Sequence, residues 1–269
     1  MQTSEISIGG AVTVWKSSAT NRDSLLKKMR SIGVGDYVPE PTTKHLALRN
    51  ALRQVFGVDR VKSLPGFANF AVIDSTATMS SWSGQSNLTV KSEFQGLTFM
   101  GETDRQEAVQ VAFDKEMENI PSTEVSKMLV KLAYHVRGVP CASGAGGCYW
   151  IPSDSLAMWK DIARAVEGSS ASGRARVFMF TTAMDDEAIR AVVGSLEDNI
   201  AKELSDMEVE IASGRLKQRA LESRVTKSGE LRERIAEYEQ MLGVTLKKLH
   251  DAVESTKKNS VMAALASLV

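Results

Sequence analysis

Two cysteines and a histidine lie close together in the sequence and are the residues best suited to metal or thiol chemistry. Cys141 and Cys148 are separated by six residues, and His135 precedes them. A structural zinc site needs four ligands and usually contains two cysteines two to four residues apart. The other histidines, His45 and His250, are distant in sequence. We therefore predict no metal and no cofactor, and two reduced thiols.

Motifs for enzymatic catalysis are missing from the chain. It contains no Gly-x-Ser-x-Gly, no His-Glu-x-x-His and no dinucleotide-binding fingerprint in the right context. The glycine-rich run Ala142–Gly147 lacks the Gly-Lys-Ser/Thr ending of a P-loop and precedes a predicted strand, which favours a simple turn. The sequence therefore predicts a protein that is not an enzyme.

A possible DNA-binding unit occupies the middle of the chain. Helix patterns at 104–117 and 123–136 are separated by Pro121-Ser122, and β-prone residues surround the glycine-rich run within 139–151. Two helices followed by a β-hairpin is the order of a winged helix, in which the second helix enters the DNA major groove. We predict a winged-helix-like unit here.

The candidate nucleic-acid-binding residues of this unit are basic or aromatic. Three of them recur every four residues and share one helix face, one follows the helix end, and two aromatic residues lie on the predicted wing: Lys127, Lys131, His135, Arg137, Tyr149 and Trp150. The basic residues could contact phosphates, and the rings could stack on bases. The alternative is a solvated helix face and aromatic residues in the core.

The last third of the chain carries an apolar stripe at helical spacing. Its steps of three, four or seven residues are typical of a seam between helices. The seam residues are Ile189, Val193, Leu196, Ile200, Leu204, Met207, Ile211, Leu231, Ile235, Tyr238, Leu242 and Leu249. The final residues, 261–269, are predicted to dock as a small helix or to fray.

This tail is predicted to be a long helical hairpin or an extended coiled coil. Glycine in a helix interior costs about 1 kcal/mol, so Ser213-Gly214 and Ser228-Gly229 are candidate turns. The first helix is rich in acidic residues, and the segment 215–234 is rich in basic residues. Complementary charge favours packing of the two segments against each other.

The first hundred residues predict a small antiparallel α+β domain. Residues 6–15 alternate as a strand or hairpin, with a turn or bulge at Gly9-Gly10. Asn21 and Thr43 are candidate helix caps, and strand patterns follow at 67–73 and 88–100. The fold class is therefore α+β, with domains predicted at 1–101, 102–182 and 183–269.

Composition limits the functional classes. The 269 residues are 43% hydrophobic and carry 33 basic and 33 acidic side chains, so the net charge is zero. Zero net charge disfavours a surface that grips nucleic acid over its whole extent. Because no signal peptide and no transmembrane run is evident, we expect a cytoplasmic protein with no membrane contact.

Two short motifs resemble a family of uncharacterised bacterial and phage proteins. One is Gly146-Gly147-Cys148-Tyr149-Trp150-Ile151-Pro152, in which Cys148 replaces the apolar residue expected from the family, and the other is Arg234-Ile-Ala-Glu-Tyr-Glu-Gln-Met-Leu-Gly243. The resemblance implies a phage or bacterial accessory protein and no particular activity.

These observations predict a non-enzymatic interaction or structural protein that acts through its helical arm. The arm, residues 185–255, would contact a second copy of the chain or a larger protein partner. The alternative function is a DNA-associated protein that contacts duplex DNA through the winged-helix-like unit.

Overall fold

The structure, a computed structural model, describes residues 8–65, 69–72, 88–93, 96–101, 104–141, 147–183, 185–213, 216 and 218–266. Its strands β1 to β10 span Ile8–Lys16, Thr20–Asn21, Val61–Ser63, Asn69–Val72, Leu88–Glu93, Gly96–Gly101, Asn119–Ile120, Val139–Pro140, Cys148–Pro152 and Arg176–Ala183. Its helices α1 to α8 span Arg22–Ser31, Lys44–Phe56, Gln106–Glu118, Ser122–His135, Leu156–Glu167, Asp186–Ala212, Gln218–Leu242 and Lys247–Ala266. The pairings between these strands are antiparallel, and the predicted α+β class is confirmed.

Two compact units interleave along the chain, whereas the sequence predicted three consecutive domains. The sheet-and-arm unit comprises Met1–Val14, Val136–Leu156 and Met179–Val269, and the second unit comprises Trp15–His135 and Ala157–Phe178. The chain therefore leaves each unit and returns to it, a pattern that local sequence signals do not reveal.

The second unit contains a four-stranded sheet in the order β3-β4-β5-β6. Helices α2 and α3 pack against this sheet, and their shared core includes Leu48, Leu52, Phe70, Val90, Val109 and Phe113. Two predicted caps are observed: the side chain of Asn21 accepts a hydrogen bond from the Ser24 N–H, and that of Thr43 accepts one from the Leu46 N–H. These caps satisfy backbone donors that a helix N-terminus otherwise leaves free.

The sheet of the sheet-and-arm unit has the strand order β10-β1-β9-β8. Gly10 lies within β1 and pairs with Pro152, so the turn or bulge predicted at Gly9-Gly10 is wrong. A Cβ atom on Gly10 would lie 2.7 Å from the Trp150 indole nitrogen and 2.4 Å from the Ile151 carbonyl oxygen. Glycine is present here because the Trp150 ring lies against the backbone of β1.

The predicted β-hairpin forms, but it is not a free wing. Val139 pairs with Trp150, and on its other side β9 pairs with β1 along residues 10–14. The hairpin tip, 142–146, lies outside the described residues. The first of the two predicted helices, α3, contributes to the core that contains α2 and β3–β6. A winged helix uses its hairpin as a projecting element, so the interior position of β9 contradicts that part of the prediction.

The helical arm consists of α6, α7 and α8, where the sequence predicted one hairpin or one rod. Asp185 caps α6 through a 2.8 Å bond from the Ala188 N–H, and α6 ends at Ala212 near the predicted turn at Ser213-Gly214. Ion pairs join Glu203 to Arg234 and Glu210 to Arg224, so α6 and α7 run antiparallel. Helix α8 then packs against both of the preceding helices.

A second turn at Gly243 divides the predicted second helix. Gly243 has a φ of +66°, which favours glycine, and its N–H donates to the Glu239 carbonyl oxygen. The Glu239 carboxylate accepts a 2.5 Å bond from the Leu246 N–H just before α8, and it lies 3.0 Å from the His250 ring. The Leu246 bond, followed by the His250 bond, holds the pKa of Glu239 below its usual range.

Ser228-Gly229, the other candidate turn, lies inside α7. The Ser228 side chain is fully buried and its hydroxyl donates to the Arg224 carbonyl oxygen one turn earlier. A buried hydroxyl that bonds to its own helix needs no other partner, so serine is tolerated at this position. Thr256 and Ser260 of α8 are also buried, and the Thr256 hydroxyl donates to the Glu208 carboxylate of α6.

Replacing Ile235 with alanine tests the arm core. Ile235 is fully buried among residues of all three arm helices, so Ile235→Ala should lower the free energy of unfolding by about 2–5 kcal/mol in denaturant titrations. The control, Val209→Ala, changes an α6 side chain that is 68% exposed and should alter the free energy by less than about 0.5 kcal/mol. Equal effects would contradict the packing.

Replacing Glu239 with glutamine tests the α7–α8 turn. Because the pKa of Glu239 is lower in the folded chain than its ordinary value of 4.5, its ionised carboxylate stabilises the fold above that pH, and this contribution is lost in acid. Glu239→Gln should therefore be less stable than the wild type at about pH 7, and the difference should narrow towards about pH 3. Chemical unfolding at both pH values measures this difference in the free energy of unfolding. The control is Glu233→Gln, a substitution at an exposed position that leaves the turn intact.

Candidate functional site

The predicted basic face lies on α4 in the second unit. Lys127, Lys131 and His135 are all exposed. The Lys127 ammonium lies 2.6 Å from the Glu124 carboxylate, and the His135 ring centroid lies 5.1 Å from that of Tyr37. An exposed ion pair contributes little to stability, and here it places an acidic group beside the proposed phosphate contact.

The other three candidate nucleic-acid residues belong to the sheet-and-arm unit. Arg137 pairs with Asp154 and has a φ of +60°, which is uncommon for a residue other than glycine. Tyr149 and Trp150 are only 5% and 3% exposed. Rings buried to this extent offer no face to a base, so the interpretation of these two residues as core is the correct one.

The predicted seam residues do come together in the arm. Nine of them lie in one buried cluster with Val139 and Trp150 of the sheet: Leu196, Ile200, Leu204, Met207, Leu231, Ile235, Tyr238, Leu242 and Leu249. Ile189, Val193 and Ile211 are half-buried. The same cluster also contains Val192, Leu246 and Val253, which the seam predicted from the sequence did not include.

A buried tyrosine joins the arm to the sheet. The Tyr238 hydroxyl lies 2.9 Å from the Arg137 carbonyl oxygen and 3.4 Å from that of Gly138, immediately before β8. Tyr238 itself is 2% exposed. Its hydroxyl provides the hydrogen-bond donor that buried backbone oxygens at this position require.

Charge complementarity accompanies the apolar seam. Glu203 of α6 lies 2.9 Å from the Arg234 guanidinium and 3.6 Å from the Lys227 ammonium, both on α7. Arg232 of α7 lies 3.8 Å from the Glu254 carboxylate of α8. The basic segment predicted from the sequence therefore directs several of its charges at the arm's own acidic residues.

An apolar strip occupies the outward face of the last turns of α8. Val261, Met262 and Leu265 are 38%, 68% and 56% exposed. At 100° per residue they point away from the buried face that includes Val253 and Ser260. Further back on the same outward face, the residues are charged: Lys247, Asp251, Glu254 and Lys258. Helix α8 thus continues to Ala266, into the segment 261–269 that the sequence predicted to dock as a small helix or to fray, and residues 267–269 lie outside the described residues.

The cysteine pair lies where β8 ends and β9 begins, on either side of the hairpin tip. The Cys141 N–H donates a 3.0 Å bond to the Cys148 carbonyl oxygen, and both cysteines are free thiols. Burial of its sulfur, followed by a hydrogen bond with Cys148, raises the pKa of the Cys141 thiol to about 12. Cys141 is therefore a poor thiolate donor at neutral pH.

The described residues contain neither a clustered set of metal ligands nor a helix that could span a membrane. No group of three histidine, cysteine, aspartate or glutamate side chains within them is placed to hold a metal ion. None of the helices in the described part of the chain is long and apolar enough to cross a membrane.

Comparison with known proteins identifies a family of unknown function. No curated protein and no solved structure matches the chain. Residues 73–267 match the model of a family described as a family of unknown function (DUF6744). This match covers most of the chain, including α3 to α8 and the hairpin, and the chain therefore belongs to the DUF6744 family.

Proposed function

We propose that this protein is a non-enzymatic interaction protein whose helical arm pairs with the arm of a second copy. The observation that carries this proposal is the apolar strip at Val261, Met262 and Leu265, exposed on the outward face of α8. The predicted seam residues pack against one another within one chain, so they are not available to a second copy. The exposed strip is the surface that remains available for that contact.

The change of composition along the outward face of α8 supports a contact at this end. Charged residues occupy that face from Lys247 to Lys258, and large apolar residues replace them over the last turns. Clustered exposed apolar side chains are typical of contact sites, and a helix face recognises a partner helix at steps of three and four residues.

A second copy of the chain is the occupant that its charge favours. The formal net charge is zero, so two copies do not repel each other over long distances. A two-fold contact places the same strip on both sides, so that each apolar face covers the other. Three side chains per copy bury little area, and the association should therefore be weak, with a dissociation constant of about 10–100 µM.

The alternative of DNA binding through α4 retains fewer contacts than the sequence suggested. Lys131 and Lys127 remain exposed, but Glu124 accompanies Lys127, and the aromatic rings assigned to stacking are buried. The surface that remains for this alternative is a short basic face with Lys127 and Lys131. Such a face contacts phosphates without sequence preference and depends strongly on salt.

Replacing the strip with acidic residues tests self-association. Sedimentation velocity from about 1 µM to about 100 µM should give a coefficient that rises with concentration for the wild type. Met262→Glu combined with Leu265→Glu should remain monomeric, because a two-fold contact would bring together two carboxylates from each copy, four in all, without partners.

The matched control places the same charges on equally exposed apolar residues of the second unit. Val58→Glu with Val111→Glu, where the wild-type side chains are 62% and 61% exposed, should associate like the wild type. A wild type that stays monomeric over the whole range contradicts the proposal. Salt-sensitive binding to labelled duplex DNA that is lost in Lys127→Glu with Lys131→Glu would favour the alternative function instead.

A further inference from the structure

A cavity of about 220 Å³ lies in the sheet-and-arm unit, between the sheet and the first half of α6. Val12 of β1, Val139 of β8 and Trp150 of β9 line one side, and Ala188 and Val192 of α6 line the other. Thr182, near the end of β10, completes the wall. The cavity uses no residue of α8, so it is independent of the strip proposed above for self-association.

The lining is almost entirely carbon. Valine, alanine and proline side chains form most of the wall, and the chemistry of the cavity therefore favours apolar groups. The Ser195 hydroxyl, which also lines it, donates to the Pro140 carbonyl oxygen. That pair is satisfied within the protein and fastens α6 to the end of β8.

Two of the lining side chains carry a polar atom that has no partner among the described residues. The Trp150 indole nitrogen and the Thr182 hydroxyl oxygen are both buried, and neither makes a hydrogen bond within the described part of the chain. Trp150 as a whole is 3% exposed. A buried donor left without an acceptor is costly, and such groups in native proteins call for an explanation.

The position of the Trp150 indole is fixed by its neighbours. It lies against Gly10 so closely that any side chain there would collide with the indole nitrogen. Val12 and Val139 pair with Trp150 from the strands on either side. A ring held on three sides presents a preorganised donor, which is the feature that a polar group in an apolar binding site requires.

We propose that this cavity binds a small apolar molecule, a benzene-sized ring with a short substituent, whose carbonyl or ether oxygen accepts the Trp150 indole N–H. The Thr182 hydroxyl is the second polar contact available to the ligand. An apolar cavity of about 150 Å³ accommodates benzene, so 220 Å³ suits a ring with a small polar substituent.

The lining favours such a ligand over ordered water. A buried water molecule typically makes about three hydrogen bonds, whereas the unpartnered buried nitrogen and oxygen atoms of the described lining side chains are two, those of Trp150 and Thr182. The Cys141 thiol, which also lines the cavity, is a weak hydrogen-bond partner. It also favours a ligand that has acceptors but no donors. The Thr182 hydroxyl oxygen is the one unpartnered buried side-chain oxygen among the lining residues that the structure describes, so a donor-rich ligand such as a peptide would find few side-chain acceptors for its N–H groups.

Acetophenone and α-methylstyrene form a matched pair of probes. They have the same shape, and only acetophenone carries an acceptor oxygen. The indole N–H resonances of the full-length protein, which has four tryptophans, report binding in two-dimensional NMR. The Trp150 resonance is the one that disappears in Trp150→Phe.

Acetophenone should shift the Trp150 resonance downfield in a saturable manner, and α-methylstyrene should bind about tenfold more weakly without that shift. Trp150→Phe should remove the preference for acetophenone. Ala188→Leu, which fills the cavity, should abolish binding of both probes while the far-ultraviolet circular dichroism stays unchanged.

Three results would overturn the inference. The first is an unshifted Trp150 resonance with both probes at millimolar concentration. The second is equal affinity for the two probes in the wild type. The third is binding that survives in a folded Ala188→Leu protein, which would place the probes elsewhere. If Ala188→Leu fails to fold, Ala191→Leu on the next exposed position of the same wall replaces it.

Discussion

The antiparallel pairing of β1 with β9 is the constraint on which the sheet-and-arm unit depends. It joins residues 10–14 to residues 148–152 and places β1 in the interior of the sheet. The arm then packs its apolar seam on that sheet, in a core that includes Trp150 and Val139. Closing so long a loop costs conformational entropy before any packing is gained. The unit is therefore folded only when β1, the β8–β9 hairpin and the arm are packed together.

Local chemistry made much of the secondary structure predictable. Asn21 and Thr43 each accept a hydrogen bond from the backbone of the helix that they begin, as their side chains and positions suggested, and Asp185 does the same for α6. The apolar repeat in the arm was equally informative, because burial in one cluster follows from its spacing. The turn at Gly243 was not predicted, since Leu242 and Leu249 keep a seven-residue spacing across it. What distinguishes the turn is a positive φ and the carboxylate of Glu239, both of which depend on the folded geometry.

The candidate sites were harder to predict because burial depends on distant segments. Tyr149 and Trp150 follow a glycine-rich run, and the sequence of that run does not predict that β1 pairs with their strand. The exposed strip on α8 shows the opposite case. Its apolar composition is plain in the sequence, but its outward direction depends on the phase that α8 takes after the Gly243 turn. Sequence periodicity thus predicted which residues pack in the arm more readily than which face remains free.

The position of β1 places one strand of the sheet outside the family match. The matched region begins at residue 73, and β1 ends at Lys16, so the strand lies outside the part of the chain that defines the family. Yet β1 separates β10 from β9 in the sheet. A relative built from the matched region alone would carry an empty slot flanked by two unpaired strand edges. An extended segment from another polypeptide could fill such a slot by donating a strand, as in β-strand complementation. In this chain, the molecule supplies that strand itself.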